Sequence, residues 1–271
     1  MIELLDSHAH LQEPEFKRDV DEVIKRARAA GVVGVVVPAV DIATAESAIG
    51  LAERFEGVYA TAGCHPHEAE RFDQAHLRTA ERLLDHPRVL AVGEIGLDFY
   101  RMHSSRAAQM SAFDAMLTLA EVRAMPVVVH CREAWQALSE QLVPWASRAA
   151  QRFERQPLGV LHYFSGSLEE AERYVGLGFV ISVHTSVTHP KAIALRDVVS
   201  RLPLESLVIE TDSPYGAPQA LRGKRNEPAY VVEAAKQIAE AKGLSLREVA
   251  DATTANARRL FRLPVPAGTP A

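Results

Sequence analysis

The stretch IELLDSHAHLQEPEFKRDVDEVIKRARAAGVVGVVVPAV (residues 2–40) holds an apolar run, an amphipathic segment and a second apolar run in succession. The outer runs, IELLDSH (2–8) and VVGVVVPAV (32–40), are short and rich in Val, Ile and Leu, as strands are. Between them Phe16, Val20, Val23, Ile24 and Ala27 recur at the period of a helix, with charges on the opposite face. Gly31 stands where such a helix stops. A helix between two strands makes them parallel neighbours joined by a right-handed crossover.

The unit repeats to the far end of the chain. Further apolar, β-branched runs fall at 57–65, 89–96, 126–131, 159–164, 179–185 and 206–211. Several are continuously apolar, as in strands buried on both faces. Ser167 with Glu170, and Ser245 with Glu248, have the spacing of helix-starting capping boxes, and Asp41 is placed as an N-cap. Eight alternations without a linker predict an α/β fold, a (β/α)8 TIM barrel in one domain over residues 1–262. An open doubly wound sheet is the rival, but no Gly-rich phosphate loop follows the first run. LPVPAGTPA (263–271) reads as a frayed, disordered tail.

Composition narrows the function classes. A chain of 271 residues, 48% hydrophobic and 24% charged, builds a sizeable globular core. Its net charge of −5 provides no overall field for nucleic acid, so an anionic substrate would need metal ions or a local basic loop. Two cysteines, Cys64 and Cys131, form no disulfide framework, fit a reducing compartment and read as small buried fillers. The N-terminus lacks a signal-peptide pattern, and no apolar run nears the roughly 20 residues that span a bilayer. The expectation is a cytoplasmic protein without a membrane or an obligate partner, and a monomer.

In such a barrel, chemistry sits where strands end. Seven of the eleven histidines fall there: His8, His10, His65, His67, His130, His162 and His184. Each has an ordinary reading. An HxH pair can lie on the surface, and a lone His162 can be a hydrogen-bonded core residue. Glu94, in AVGEIGLDF, and Asp212, after SLVIET, are harder to place, because a carboxylate ending an apolar strand is costly unless paired or metal-bound. Histidines and carboxylates converging from separate strands build a metal site.

The motifs DSHAHL, GCHPH, GEIGLDFYR, HCREA, LHYFSG, ETDSPY, GKRNEP and TTANARRLF occur in this order along the chain. Together the sequence resembles the TatD family of metal-dependent deoxyribonucleases, among the amidohydrolase-like barrels. The resemblance implies two divalent metal ions, with His8, His10 and Asp212 at one, His130 and His162 at the other, and Glu94 bridging both. Asp212 would be the general base. Asp6 would orient a ligand or cap a backbone amide. The ions are Mg, Mn or Zn: an imidazole-rich set favours softer metals, whereas the family is usually described as Mg-dependent.

The implied reaction is phosphodiester hydrolysis by a 3′–5′ exonuclease on DNA, single-stranded or at 3′ ends. The alternative is a small-molecule or ester/amide hydrolase, lactonase- or deacylase-like, on the same barrel. Phosphotriesterase-like relatives bridge their metals through a modified lysine where this chain has Glu94. The resemblance puts His65 near the substrate phosphate, with His67 in the pocket. Arg132 either holds a phosphate or pairs with a carboxylate such as Glu133. Arg222, Lys224 and Arg225 form a basic loop suited to a phosphate backbone, and Asn226 continues it, although Asn226, Glu227 and Pro228 also read as a helix start. A nuclease is expected to offer aromatic rings on which bases stack; Phe99, Tyr100, Tyr163, Phe164 and Tyr215 lie near strand ends, and most of them are read as packing residues. Glu133, Tyr163 and His184 depart from the family pattern.

Overall fold

In a computed structural model, the described residues are 2–153 and 157–264. Eight parallel strands hydrogen-bond in chain order: β1 Leu4–Asp6, β2 Val32–Val37, β3 Val58–Ala62, β4 Val89–Asp98, β5 Val127–Arg132, β6 Gly159–Leu161, β7 Phe179–His184 and β8 Leu207–Glu210. The last meets the first through backbone N–H groups: Ser7 donates to Ile209 O (3.0 Å), Asp212 to His8 O (2.8 Å) and His10 to Ser213 O (2.7 Å). The (β/α)8 barrel expected from the alternation is therefore the fold.

Helices follow the strands: α1 Val20–Ala29, α2 Ile42–Arg54, α3 Gln74–Leu83, α4 Arg106–Arg123, α5 Trp135–Ala149, α6 Leu168–Gly176, α7 Ile193–Arg201, α8 Val232–Lys242 and α9 Leu246–Leu260. The capping boxes form at Ser167/Glu170 and Ser245/Glu248, and Asp41 with Thr44 makes a third. α1 is shorter than its apolar periodicity predicts. Phe16 lies in a separate 3₁₀ turn, and the Asp19 carboxylate, rather than capping the helix, accepts from Arg225 and Arg26.

The apolar residues divide into two layers. One fills the space between strands and helices; the other fills the barrel. The inner layer comes from Leu5, Val36, Ala91, Val128, Val160, Val180 and Val208, and α9 closes it with Ala257 and Leu260, followed by Phe261. This explains TTANARRLF. Thr254 Oγ1 donates to Glu3 O, Asn256 Nδ2 donates to Leu204 O and Leu207 O, and Arg258 pairs with Glu3. The motif locks a plug into the end of the barrel opposite the strand C-termini. Leu263 packs against that plug, unlike the frayed tail expected there. Residues 265–271 of that tail lie outside the described residues.

β1 and β6 end earlier than their apolar runs, at Asp6 and Leu161. The chain leaves the sheet there, and His8, His10 and His162 follow on the non-strand backbone. β4 runs longer than expected, to Asp98. Gly96 permits this: it has φ +141°, and a Cβ there would lie 2.0 Å from the His130 carbonyl oxygen.

Candidate metal centre

The strand ends bring His8, His10, His65, Glu94, His130, His162 and Asp212 together in three overlapping groups, His8–His10–Asp212, His8–Glu94–His162 and His65–Glu94–His130, all buried except the partly exposed His130 and Asp212. Glu94 is the hub. Its Oε2 faces His8 Nε2 at 3.3 Å and His10 Nε2 at 3.8 Å. Its Oε1 faces His130 Nδ1 at 3.1 Å, His162 Nε2 at 3.3 Å and His65 Nε2 at 3.5 Å. Asp212 Oδ1 completes the first group, 3.5 Å from His10 Nε2 and 3.7 Å from His8 Nε2. One carboxylate thus presents one oxygen to each of two ligand groups.

The donor set fits divalent cations. Ligand bonds of about 2.0–2.1 Å give polyhedron edges of about 3.0–3.4 Å, close to most of these separations. Glu94 Oε2 is buried without a hydrogen-bond partner. The His8 and His162 rings stack at 3.6 Å, and the His8 and His10 Nε2 atoms face each other at 3.2 Å. Crowding imidazoles this closely around a carboxylate suits a shared cation better than a set of protons.

Two further carboxylates fix the tautomers. Glu210, fully buried at the end of β8, accepts from His162 Nδ1 (3.1 Å) and from the Tyr163 N–H (2.7 Å), leaving the His162 Nε2 lone pair toward Glu94. Asp98, ending β4, accepts from His130 Nε2 (3.3 Å) and His67 Nε2 (3.0 Å), leaving His130 Nδ1 toward Glu94. Such carboxylate–histidine pairs orient metal ligands. Neither has a role that the sequence alone discloses. Both carry the signal that marked Glu94, a carboxylate ending an apolar strand. In His65 the polarity reverses: Nδ1 accepts from the His67 N–H (3.1 Å), so the neutral ring carries its proton on Nε2, toward Glu94. That makes His65 a donor rather than a ligand.

The titrations follow. Burial opposes charge on Glu94, but the imidazoles of His162, His65 and His8 hold it well below the usual carboxylate range. Burial likewise opposes charge on Glu210, and His162 overrides it, holding Glu210 at about 2. Burial, with the neighbouring imidazoles of His130, His67 and His10, lowers His65 well below its usual value against the opposing pull of Glu94. Burial pushes Asp6 up to about 8. Its carboxylate accepts from the Thr211 N–H and hydroxyl and from the His8 N–H, so it caps backbone between β1 and β8 and touches no imidazole.

Other candidates divide. Arg132 has no ion pair among the described residues; its guanidinium lies 3.9 Å from the centre of the Tyr100 ring. Arg222 and Lys224 are exposed and unpaired among the described residues. Arg225 and Asn226, expected at the substrate, are engaged elsewhere. Arg225 donates to Asp19, Glu227 and the Glu15 carbonyl. Asn226 is fully buried, and its Nδ2 donates to Thr185 Oγ1, Thr211 O and Tyr215 O, clipping the loop after β8 to the barrel. The Glu227 side chain goes to Arg26 and Arg225 rather than capping the following 3₁₀ turn. His184 stacks on Tyr163 at 3.7 Å, so two of the three departures from the family pattern form one pair. Phe164 is buried, whereas Tyr100 and Tyr215 are exposed, contrary to a packing role. Cys64 and Cys131 are buried free thiols.

A (β/α)8 barrel with a histidine–carboxylate cluster at its strand ends defines a metal-dependent hydrolase. The chain belongs to the TatD-related DNase family, whose model matches residues 5–262. It is 36% identical to an uncharacterised metal-dependent hydrolase, YabD, of Bacillus subtilis, over 96% of this chain and 99% of that protein. It is also 36% identical to a 3′–5′ ssDNA/RNA exonuclease, TatD, of Klebsiella pneumoniae, over 97% of this chain and 99% of that one. The crystal structure of the Escherichia coli TatD homologue YJJV superposes with a TM-score of 0.88 at 33% identity, covering 96% of this chain and 98% of that chain. Among the described residues, no helix is long and apolar enough to cross a membrane.

Proposed function

We propose that this chain is a divalent-metal-dependent 3′–5′ exonuclease that hydrolyses phosphodiester bonds at the ends of single-stranded DNA or RNA. The Glu94 carboxylate, with one oxygen in each of two ligand groups, carries the reading. His8, His10, Asp212 and Glu94 would hold one ion, and His130, His162 and Glu94 the other. Two divalent ions supply Lewis-acid stabilisation of a phosphoryl group and acidify water.

The residues do the rest. Asp212 is the general base. Its side chain is 14% exposed against 2% for Glu94, so it is the carboxylate of the two that meets incoming water. Its φ of +56° lies in the left-handed region, where Asp is one of the few tolerated residues, and the Asp212 N–H bond to His8 O holds it there. His65 Nε2–H donates to a phosphoryl oxygen. Arg132, Arg222 and Lys224 supply free cations for the backbone phosphates; Arg225 and Asn226 hold the loop that carries them. The identity to a ssDNA/RNA exonuclease supports the substrate class. A cytoplasmic, monomeric enzyme belongs to the same reading, which the two free thiols favour.

The test is a time course on 5′-labelled single-stranded DNA with Mg²⁺ or Mn²⁺, wild type beside Asp212→Ala. A ladder shortening from the 3′ end, absent in the variant, is expected. No cleavage with any metal would favour a small-molecule ester hydrolase on this barrel.

A further inference from the structure

The chain has 2 Trp, 6 Tyr and 9 Phe, and among the described residues only Tyr100 and Tyr215 of these are exposed, at 53% and 51%. Tyr215 follows Asp212 by three residues and Tyr100 follows Asp98, the carboxylate behind His130, by two, so each stands on a loop that continues from the cluster. The Tyr215 ring lies 6.1 Å from the His10 ring, on the Oε2 side. Tyr100 follows β4, and its N–H donates to Asp98 Oδ1 (3.0 Å), the carboxylate whose other oxygen orients His130 on the Oε1 side. Tyr215 is tied in the same way: its N–H donates to the carbonyl of Asp212 (2.9 Å). Each backbone is thus held by one bond, Tyr215 to Asp212 of the cluster and Tyr100 to the Asp98 that orients His130. Arg132, without an ion pair among the described residues, lies flat enough against Tyr100 to approach its centre at 3.9 Å, yet the ring stays half exposed.

About half of each ring is open to solvent, and two such rings beside a phosphodiester-cleaving site offer faces to its substrate. We propose that Tyr100, backed by Arg132, and Tyr215 are stacking platforms for the two unpaired nucleobases flanking the scissile phosphate. This rests on the nuclease reading above and deepens it. Stacking on an aromatic ring accepts any base, because every base has a π-face. It requires the base to leave its neighbours, so the platforms select single strands over duplex. The Arg132 guanidinium turns one face to the ring and leaves its N–H edges for a phosphate.

The test compares wild type with Tyr100→Ala, Tyr215→Ala and the corresponding Phe variants. Substrates are 5′-labelled single strands, intact or with an abasic site at the 3′-terminal or penultimate nucleotide. Each Ala variant should raise KM by roughly 10-fold, and the Phe variants should restore it. An abasic site at the matching position should raise the wild-type KM comparably and add nothing further to the Ala variant. Ala variants with KM within about twofold of wild type, or losses that multiply when variant and abasic site are combined, would overturn the platforms while leaving the nuclease reading intact. Wild type that cuts no oligonucleotide would sink both.

Discussion

Glu210→Gln separates the hold on a ligand from the ligand itself. Glu210 is fully buried, and one of its oxygens accepts from both His162 Nδ1 and the Tyr163 N–H. Gln keeps the shape and one acceptor oxygen but removes the charge. A hydrogen bond to a charged group is worth about 1.5–3 kcal/mol, against about 1 kcal/mol for a neutral one. The difference, roughly 0.5–2 kcal/mol, is about 2- to 30-fold at 1.36 kcal/mol per decade. Measured losses of carboxylates behind metal-bound histidines run about 10–100-fold, so a loss near 10-fold is the central expectation. The assay is calorimetric titration of the metal-free protein with Mn²⁺ or Zn²⁺ at neutral pH, with circular dichroism to check folding. One of two binding events should weaken by about 10-fold and the other by much less. Both events unchanged in a folded variant would refute the claim that Glu210 orients His162 as a ligand.

The basic loop should split by residue. Arg222→Ala with Lys224→Ala should raise KM for single-stranded DNA and flatten its salt dependence, whereas Arg225→Ala should lower stability by on the order of 1–2 kcal/mol, read by urea unfolding. Phe261→Ala should open the barrel plug and cost about 3–5 kcal/mol of stability, seen as a lower urea midpoint. Glu210 titrates at about 2 in the fold against an ordinary 4.5, so its contribution is full above 4.5 and lost as pH falls through about 2. In the metal-free protein, the unfolding difference between wild type and Glu210→Gln should therefore narrow from about pH 7 to about pH 3; a constant gap would contradict the shift.

The barrel was legible because its strands are buried on both faces, and runs such as VVGVVV and PVVVHC admit few other structures. The strand ends were less so, since a residue can leave the sheet without changing the apolar run: His162 reads as strand and lies beyond it. The proposed ligand positions stood out because Glu94 and Asp212 break apolar patterns. Glu210 and Asp98 break them too, but what they serve depends on which imidazole lies beside them, and His162 is 48 residues from Glu210. Arg225 misled for the same reason. Its partner Asp19 is 206 residues away, so a cation that is neutralised in the fold looked free in the chain. Exposure of Tyr100 and Tyr215 depends on which side of a loop faces solvent, and local sequence does not encode that.

Anomalous diffraction from crystals soaked in Mn²⁺ tests the binuclear centre most directly. Two peaks about 3.5–4 Å apart should appear, one beside each oxygen of Glu94, with His8, His10 and Asp212 around the first and His130 and His162 around the second. A single peak, or a pair that Glu94 does not bridge, would contradict the two-ion centre.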